Sequence, residues 1–170
     1  MTISNANPIP SQTADQIFDV LGVQIEFLVS PEETGVQASI YKGTLPPGIV
    51  IPLHSHPDSE VFYVLEGALE LYQESGEHKG WQTVPSGKAV AVKPHVKHAL
   101  RNSSSSPSTT VAVTQQGLYD FFRQIANPAK QGPPSPPTPE DMLHLFAVAA
   151  EYSYWLGSPD ENAAIGIHLQ

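Results

Sequence analysis

Residues 48–67 read GIVIPLHSHPDSEVFYVLEG, and this stretch decides how the rest of the chain is interpreted. Side chains on an extended strand repeat with a period of two, so His54 and His56 are expected to point to the same side. Glu60 keeps that parity, although the proline and aspartate before it are expected to bend the chain. Two imidazoles and one carboxylate on one face are the donor set of a facial site for a divalent metal ion.

A fourth ligand must come from another strand. His98, in the stretch VKHALRN (residues 96–102), is the best candidate. Taken alone, the pair His54 and His56 fits two ordinary surface histidines as well as two ligands, because two residues make a weak pattern. The added carboxylate, the flanking glycines and His98 favour the metal site.

The other histidines have a simpler interpretation. A surface histidine needs no function, and we assign His78, His144 and His168 to that class. His95 lies three residues before His98, close enough to approach the same cavity, but a position on a solvated loop is expected.

Short segments rich in Val, Ile, Phe, Tyr and Thr surround the quoted stretch on both sides. The clearest strand candidates are Gln16–Val20, Val23–Leu28, Val36–Tyr41, Val61–Leu65, Ala68–Tyr72, Ala89–Val92 and Thr109–Thr114. Glu66-Gly67 separates two of them at hairpin distance. Many short strands at this spacing predict an all-β fold, a sandwich, jelly roll or barrel, rather than βαβ units.

The composition changes after Gly117. Leu118–Ala126 is predicted to form a short amphipathic helix. Residues 128–139 contain six prolines, which is typical of a stiff polyproline-like spacer. Thr138, followed by a proline and two acids, is predicted to cap a second helix.

We therefore divide the chain into a barrel with its N-terminal strands, residues 1–125, and an extension, residues 126–170. The extension comprises the proline-rich linker and a C-terminal helix that packs on the barrel or on a partner subunit. Gly157–Gln170 is predicted to be loop or frayed tail.

Composition excludes several classes of function. Eight Lys and Arg residues against 17 Asp and Glu give a net charge of −9, which argues against nucleic acid or an anionic membrane as partner. The chain has no cysteine, so disulfides, thiolate metal sites and cysteine nucleophiles are excluded. The N-terminal residues 1–15 carry no Lys or Arg, unlike a secretory signal, and we expect a cytoplasmic protein.

The quoted stretch resembles the first signature motif of the cupins. Gly48, His54, His56, Glu60 and Gly67 stand at every fixed position of that motif.

The second cupin motif is matched less fully. Gly87, His98 and Asn102 stand where it requires them, whereas Lys93 and His95 take the places of its proline and glycine. This departure affects the loop that enters the strand more than the ligand.

The resemblance implies a jelly-roll barrel, or double-stranded β-helix, with a short C-terminal helical extension. It implies that His54, His56, Glu60 and His98 bind a divalent transition metal, one of Fe, Mn, Ni, Cu or Zn. The small bacterial cupins described as quercetin dioxygenase-like have a similar tail, a segment like Gly117–Phe122 followed by a proline-rich stretch and a helix.

That second likeness implies a metal-dependent dioxygenase acting on an aromatic or enolic small molecule, with Glu60 as ligand or as general base. A cupin-type isomerase or decarboxylase and a non-catalytic small-molecule-binding cupin are the alternatives. Phe27, Tyr41, Phe62 and Val64 are expected either to line an uncharged pocket or to form ordinary core. The exposed sheet edges of an isolated barrel favour a homodimer.

Overall fold

The computed structural model describes residues 16–132 and 136–169, which form twelve β-strands and four helices. The strands are, in chain order, β1 (Phe18–Val20), β2 (Val23–Val29), β3 (Ala38–Leu45), β4 (Val50–Ser55), β5 (Glu60–Glu66), β6 (Ala68–Gln73), β7 (Gly80–Pro85), β8 (Ala89–Val92), β9 (His98–Arg101), β10 (Ser108–Gln115), β11 (Asn127–Pro128) and β12 (Trp155–Leu156). The helices are α1 (Pro31–Thr34), α2 (Gln116–Ile125), α3 (Pro139–Glu151) and α4 (Pro159–Ala164).

The strands pair into two antiparallel sheets. The larger sheet has the order β11–β1–β2–β3–β10–β5–β8, and the smaller has the order β12–β4–β9–β6–β7. Burial alternates along β3 and β6, as period-two side chains predict, and the inner faces meet in one core. Val64, Leu69 and Leu71 are fully buried there. The predicted all-β fold, a double-stranded β-helix with short C-terminal helices, is confirmed.

The β5–β6 hairpin shows why the first motif ends in glycine. Gly67 has φ 70°, a left-handed conformation that favours glycine. A Cβ atom at this position would lie 2.7 Å from the carbonyl oxygen of Pro107. The hairpin predicted from Glu66-Gly67 therefore requires glycine for both its conformation and its packing.

The strand predictions hold in outline, and the structure adds elements that they missed. Each predicted segment overlaps an observed strand. Helix α1 and strand β7 were not predicted, and β3 begins at Ala38 rather than Val36 and runs on to Leu45.

The two predicted helices of the C-terminal half are present as α2 and α3. Thr138 caps α3 as predicted, by accepting a hydrogen bond from the backbone NH of Asp141. Val148 and Ala149 of α3 are buried in the main core. Residues 133–135 of the predicted polyproline spacer, and the N-terminal residues 1–15, lie outside the described residues.

The prediction of a frayed tail from Gly157 onward is wrong. Ser158 caps helix α4 with a capping box, and Ile167 beyond the helix is 4% exposed. Ile167 packs with Leu53 and Ala99 in a second apolar cluster on the smaller sheet. The tail is ordered because the smaller sheet offers it an apolar surface. None of the helices in the described ranges is long and apolar enough to cross a membrane.

Candidate metal centre

The four predicted ligand residues lie together between the two sheets. His54 at the end of β4 faces His98 at the start of β9, and their ring centroids are 4.2 Å apart. Glu60 opens β5 on the opposite sheet. His56 lies in the loop between β4 and β5, with its ring centroid 5.0 Å from that of His98.

A β-bulge brings His54 to the inner face. Ile51 pairs with Leu100 and His54 pairs with His98. Strand β4 therefore advances three residues over a distance in which β9 advances two. The additional residue lies between Ile51 and His54, where Pro52 has no backbone NH to leave unpaired. The inward direction of His54 therefore depends on the bulge as well as on strand parity.

The three histidines share one tautomer. Each places Nδ1 against a backbone carbonyl: His54 on Pro52 at 2.8 Å, His56 on Asp58 at 2.9 Å and His98 on Val96 at 2.8 Å. An Nδ1–H that donates to a carbonyl leaves Nε2 of the neutral ring as an unprotonated acceptor. Each of these rings offers a nitrogen atom within 4.8 Å of those of the other two.

The Glu60 carboxylate completes the cluster. Its Oε2 lies 3.3 Å from His56 Nε2 and 3.2 Å from His98 Nε2. Its Oε1 accepts a hydrogen bond of 3.1 Å from the hydroxyl group of Tyr41 on β3. Glu60 is 4% exposed, so its charge must be balanced from within the protein.

These contacts shift the pKa values of the cluster. Burial and the neighbouring His98 and His56 lower the pKa of His54 to about 3, so this ring is neutral at pH 7. Burial opposes ionisation of Glu60, but the adjacent imidazoles of His56 and His98 outweigh it and lower the pKa of its carboxyl group. Burial also opposes protonation of His56, yet the adjacent Glu60 carboxylate raises its pKa.

Tyr41 stays a proton donor. Burial, followed by the charge of Glu60 and the hydrogen bond to it, raises the pKa of the Tyr41 hydroxyl well above its ordinary value. The ring of Phe122 packs edge-on against Tyr41, with centroids 5.4 Å apart. Tyr41 was predicted only as a pocket-lining or core residue, and its strand pattern gives no sign of the contact with Glu60.

The donor set fits a divalent metal ion. His56 Nε2 is buried and makes no hydrogen bond, although it lies beside a carboxylate oxygen. With Nδ1 protonated, Nε2 and Oε2 are both acceptors and need a cation or a proton between them. Three neutral imidazoles and one carboxylate would leave a bound divalent ion with a net charge of about +1.

The remaining predicted histidines lie elsewhere. His78, His144 and His168 are exposed, as predicted, and His144 Nε2 contacts the Gln124 carbonyl oxygen at 3.0 Å. His95 is exposed on the loop before β9, also as predicted. It has φ 62°, the left-handed conformation for which the second motif uses glycine.

Asp58 and Tyr154 were not predicted as site residues. Asp58 is 6% exposed and its carboxylate accepts a hydrogen bond from the Tyr154 hydroxyl at 3.1 Å. The Tyr154 ring lies beside His56, with centroids 5.4 Å apart. These residues are 96 positions apart, and no local pattern in the sequence links them.

Comparison with known proteins agrees with this fold. Residues 41–114 match the family described as "Cupin domain". A predicted oxalate decarboxylase from Thermotoga maritima superposes with a TM-score of 0.54 at 18% identity, covering 63% of this chain and 98% of the other. The polyketide cyclase RemF from Streptomyces resistomycificus superposes with a TM-score of 0.53 at 16% identity, covering 60% of this chain and 75% of the other.

At these identities the superpositions establish a shared fold. No curated protein sequence matches the chain. The family match spans the strands that carry His54, Glu60 and His98. Residues 41–114, which contain all four candidate ligands, form a cupin domain.

Proposed function

We propose that the protein is a metal-dependent cupin in which His54, His56, His98 and Glu60 hold a divalent transition metal ion. One observation carries the proposal. Three Nδ1 atoms are engaged by backbone carbonyls, so that Nε2 of His56 and of His98 faces the Glu60 carboxylate. Backbone partners of this kind fix the ligating tautomer of metal-binding histidines.

Tyr41, Glu60 and His54 have distinct roles in this proposal. Tyr41 occupies Oε1 of Glu60 and leaves Oε2 directed at the imidazoles. A bound ion would act as a Lewis acid that favours the deprotonated form of an enol or phenol. Glu60 serves as ligand and, when released from that role, as the base that takes the substrate proton. His56, His98 and Glu60 are each less than 5% exposed, whereas His54 is partly exposed, so we place substrate approach on the His54 side.

We propose an uncharged aromatic or enolic small molecule as substrate. Aromatic rings surround the cluster: Phe122 packs on Tyr41, and Phe121 packs on Tyr154 with centroids 4.7 Å apart. Two of the chain's cations are engaged elsewhere, Lys42 with Glu26 and Arg101 with Glu70. An aromatic environment suits a neutral ring better than a phosphate.

The proposed reaction is dioxygenation, in which both atoms of O₂ enter the product and no external reductant is needed. The test uses protein stripped of metal and reloaded separately with Fe, Mn, Ni, Cu or Zn. O₂ consumption is measured against a panel of phenols and enols, with Glu60→Gln as the matched control.

We expect O₂ uptake with at least one metal and its loss in the control. Product formation without O₂ uptake would indicate an isomerase or decarboxylase. Tight ligand binding with no product from any metal would indicate a binding module. Unchanged metal content and turnover in Glu60→Gln would remove both roles of Glu60.

We also propose that the protein is a homodimer joined through α3. One side of this helix buries Val148 and Ala149 against its own chain. Leu143 and Phe146 are 70% and 51% exposed. Light scattering should therefore give about twice the chain mass of 18.3 kDa, and a monomer would contradict the dimer. The cytoplasmic location remains a prediction.

A further inference from the structure

The C-terminal extension reaches the candidate metal centre, although it lies outside the matched cupin residues. Strand β12 pairs with the end of β4, so that Leu156 lies opposite His54 and Trp155 opposite Ser55. This pairing places Tyr154, the residue before β12, beside the loop that carries His56. Residues of the extension therefore line one side of the candidate metal centre.

Tyr154 contacts that loop in two ways. Its ring packs against the His56 ring, and its hydroxyl group donates to Oδ2 of Asp58. The backbone carbonyl of the same Asp58 accepts the Nδ1–H of His56. A single residue, Asp58, thus links the hydroxyl group of the extension to the orientation of a ligand ring.

The Asp58 carboxylate has little freedom to move. It lies against the first turn of α2, where a Cβ atom on Gly117 would fall 2.8 Å from Oδ2 and 3.0 Å from Oδ1. Any side chain at position 117 would displace the carboxylate. Glycine is therefore needed at this position by packing and not by a left-handed backbone, since Gly117 is not among the positive-φ glycines.

We propose that Tyr154 and Asp58 are positioning residues for His56, so that the extension tunes the affinity and geometry of the metal site from outside the cupin domain. This inference rests on the proposed metal site. Neither residue is assigned a contact with substrate or metal. Their effect passes through the orientation of the His56 ring, as expected for outer partners of a metal-ligating histidine.

The test compares Tyr154→Phe with Tyr152→Phe. The first variant keeps the ring on His56 and removes the hydrogen bond to Asp58. The second makes the same chemical change in the same extension, where the hydroxyl group contacts Gln124 instead. A third variant, Gly117→Ala, displaces the Asp58 carboxylate while the side chains of Tyr154 and His56 are kept.

Co²⁺ affinity is measured by chelator competition, the visible spectrum of the Co²⁺ form is recorded, and thermal unfolding is followed without metal. We expect Tyr154→Phe and Gly117→Ala each to weaken Co²⁺ binding about tenfold and to change the spectrum. Tyr152→Phe should leave both unchanged. Wild-type affinity and spectrum in Tyr154→Phe and Gly117→Ala would overturn the inference, even if metal-free stability falls. Failure of the wild-type protein to bind Co²⁺ would instead overturn the metal site itself.

Discussion

The side chain of Asn162 in α4 is hydrogen-bonded to the backbone of Leu53, 109 residues earlier in the chain. Its Oδ1 accepts the Leu53 NH at 2.8 Å, and its Nδ2 donates to the carbonyls of Gly157 and Ser158 at 3.0 Å each. Asn162 is fully buried, so water cannot replace these partners. Because Leu53 directly precedes His54, this contact fixes the C-terminal extension to the strand that carries a predicted ligand.

Replacing Asn162 with alanine should lower the free energy of unfolding by about 2–3 kcal/mol, because buried polar groups lose their partners. Chemical denaturation of the metal-free protein measures this change. Ala163→Ser, at an exposed position of the same helix, is the control and should change stability little. A wild-type unfolding free energy in Asn162→Ala would show that the hydrogen bonds of Asn162 do not contribute to the stability of the protein.

The candidate ligands were predictable because they lie within a short stretch of fixed spacing. Strand parity placed His54 and His56 together, and the two-sheet architecture brought His98 to them. Strand parity alone does not account for the directions of the His54 and His56 side chains. A bulge directs His54 inward, and His56 lies beyond the end of β4. Neither feature leaves a periodic pattern in the sequence.

The long-range contacts were not predictable from local patterns. Tyr154 and Asn162 reach the site region across 96 and 109 residues, through hydrogen bonds that place no constraint on neighbouring positions. Helix α4 did carry a sequence signal, since Ser158-Pro159 followed by acids repeats the pattern that predicted the start of α3. Its six residues bury one polar side chain, so no apolar periodicity accompanied the cap.

Metal should stabilise the folded protein. A ligand present at 100 times its Kd raises the unfolding free energy by about 2.7 kcal/mol when it binds only the folded state. We expect Zn²⁺ or Co²⁺ to raise the Tm and a chelator to reverse the increase. His98→Ala should abolish the increment, whereas His78→Ala, at an exposed position, should retain it. A metal-independent Tm in the wild-type protein would contradict the proposed site.

Tyr41→Phe tests whether the hydroxyl group of Tyr41 stabilises the Glu60 carboxylate. The variant keeps the ring that packs on Phe122 and removes the donor to Oε1. A hydrogen bond to a charged group contributes about 1.5–3 kcal/mol, so the metal-free protein should lose stability on that scale. Tyr63→Phe, whose ring is 45% exposed on the outer face of β5, is the matched control. Equal unfolding free energies for the two variants would show that Tyr41 does not stabilise the carboxylate.

Variants of His95 test whether the histidine at the glycine position of the second cupin motif affects metal binding or stability. Its backbone has φ 62°, and its backbone NH donates to the His56 carbonyl at 2.8 Å. His95→Gly should retain wild-type metal affinity, because the exposed imidazole is not a ligand. His95→Ile should destabilise the protein by about 1–3 kcal/mol, because a β-branched residue is strained in this region. Loss of metal binding in His95→Gly would instead place the imidazole in the site.

Glu70 makes the folding stability of the protein depend on pH. Partial burial opposes its ionisation, but hydrogen bonds from Ser103 and Arg101, together with the charge of Arg101, lower the pKa of its carboxyl group. Since the folded-state pKa lies below the unfolded value of about 4.3, the stabilisation is complete above that value and is lost as the pH falls through the folded-state pKa.

Glu70→Gln should therefore cost up to about 1 kcal/mol at pH 7, the usual scale for a partly exposed ion pair, and the difference from wild type should shrink below pH 4. Urea denaturation across pH 3–7 measures it. Glu77→Gln, at an exposed position, supplies the control for a general change in charge. A Glu70→Gln deficit that persists unchanged at pH 3 would show that packing, and not the ionised carboxylate, accounts for the loss, because the contribution of the charge falls once the pH is below the unfolded-state pKa.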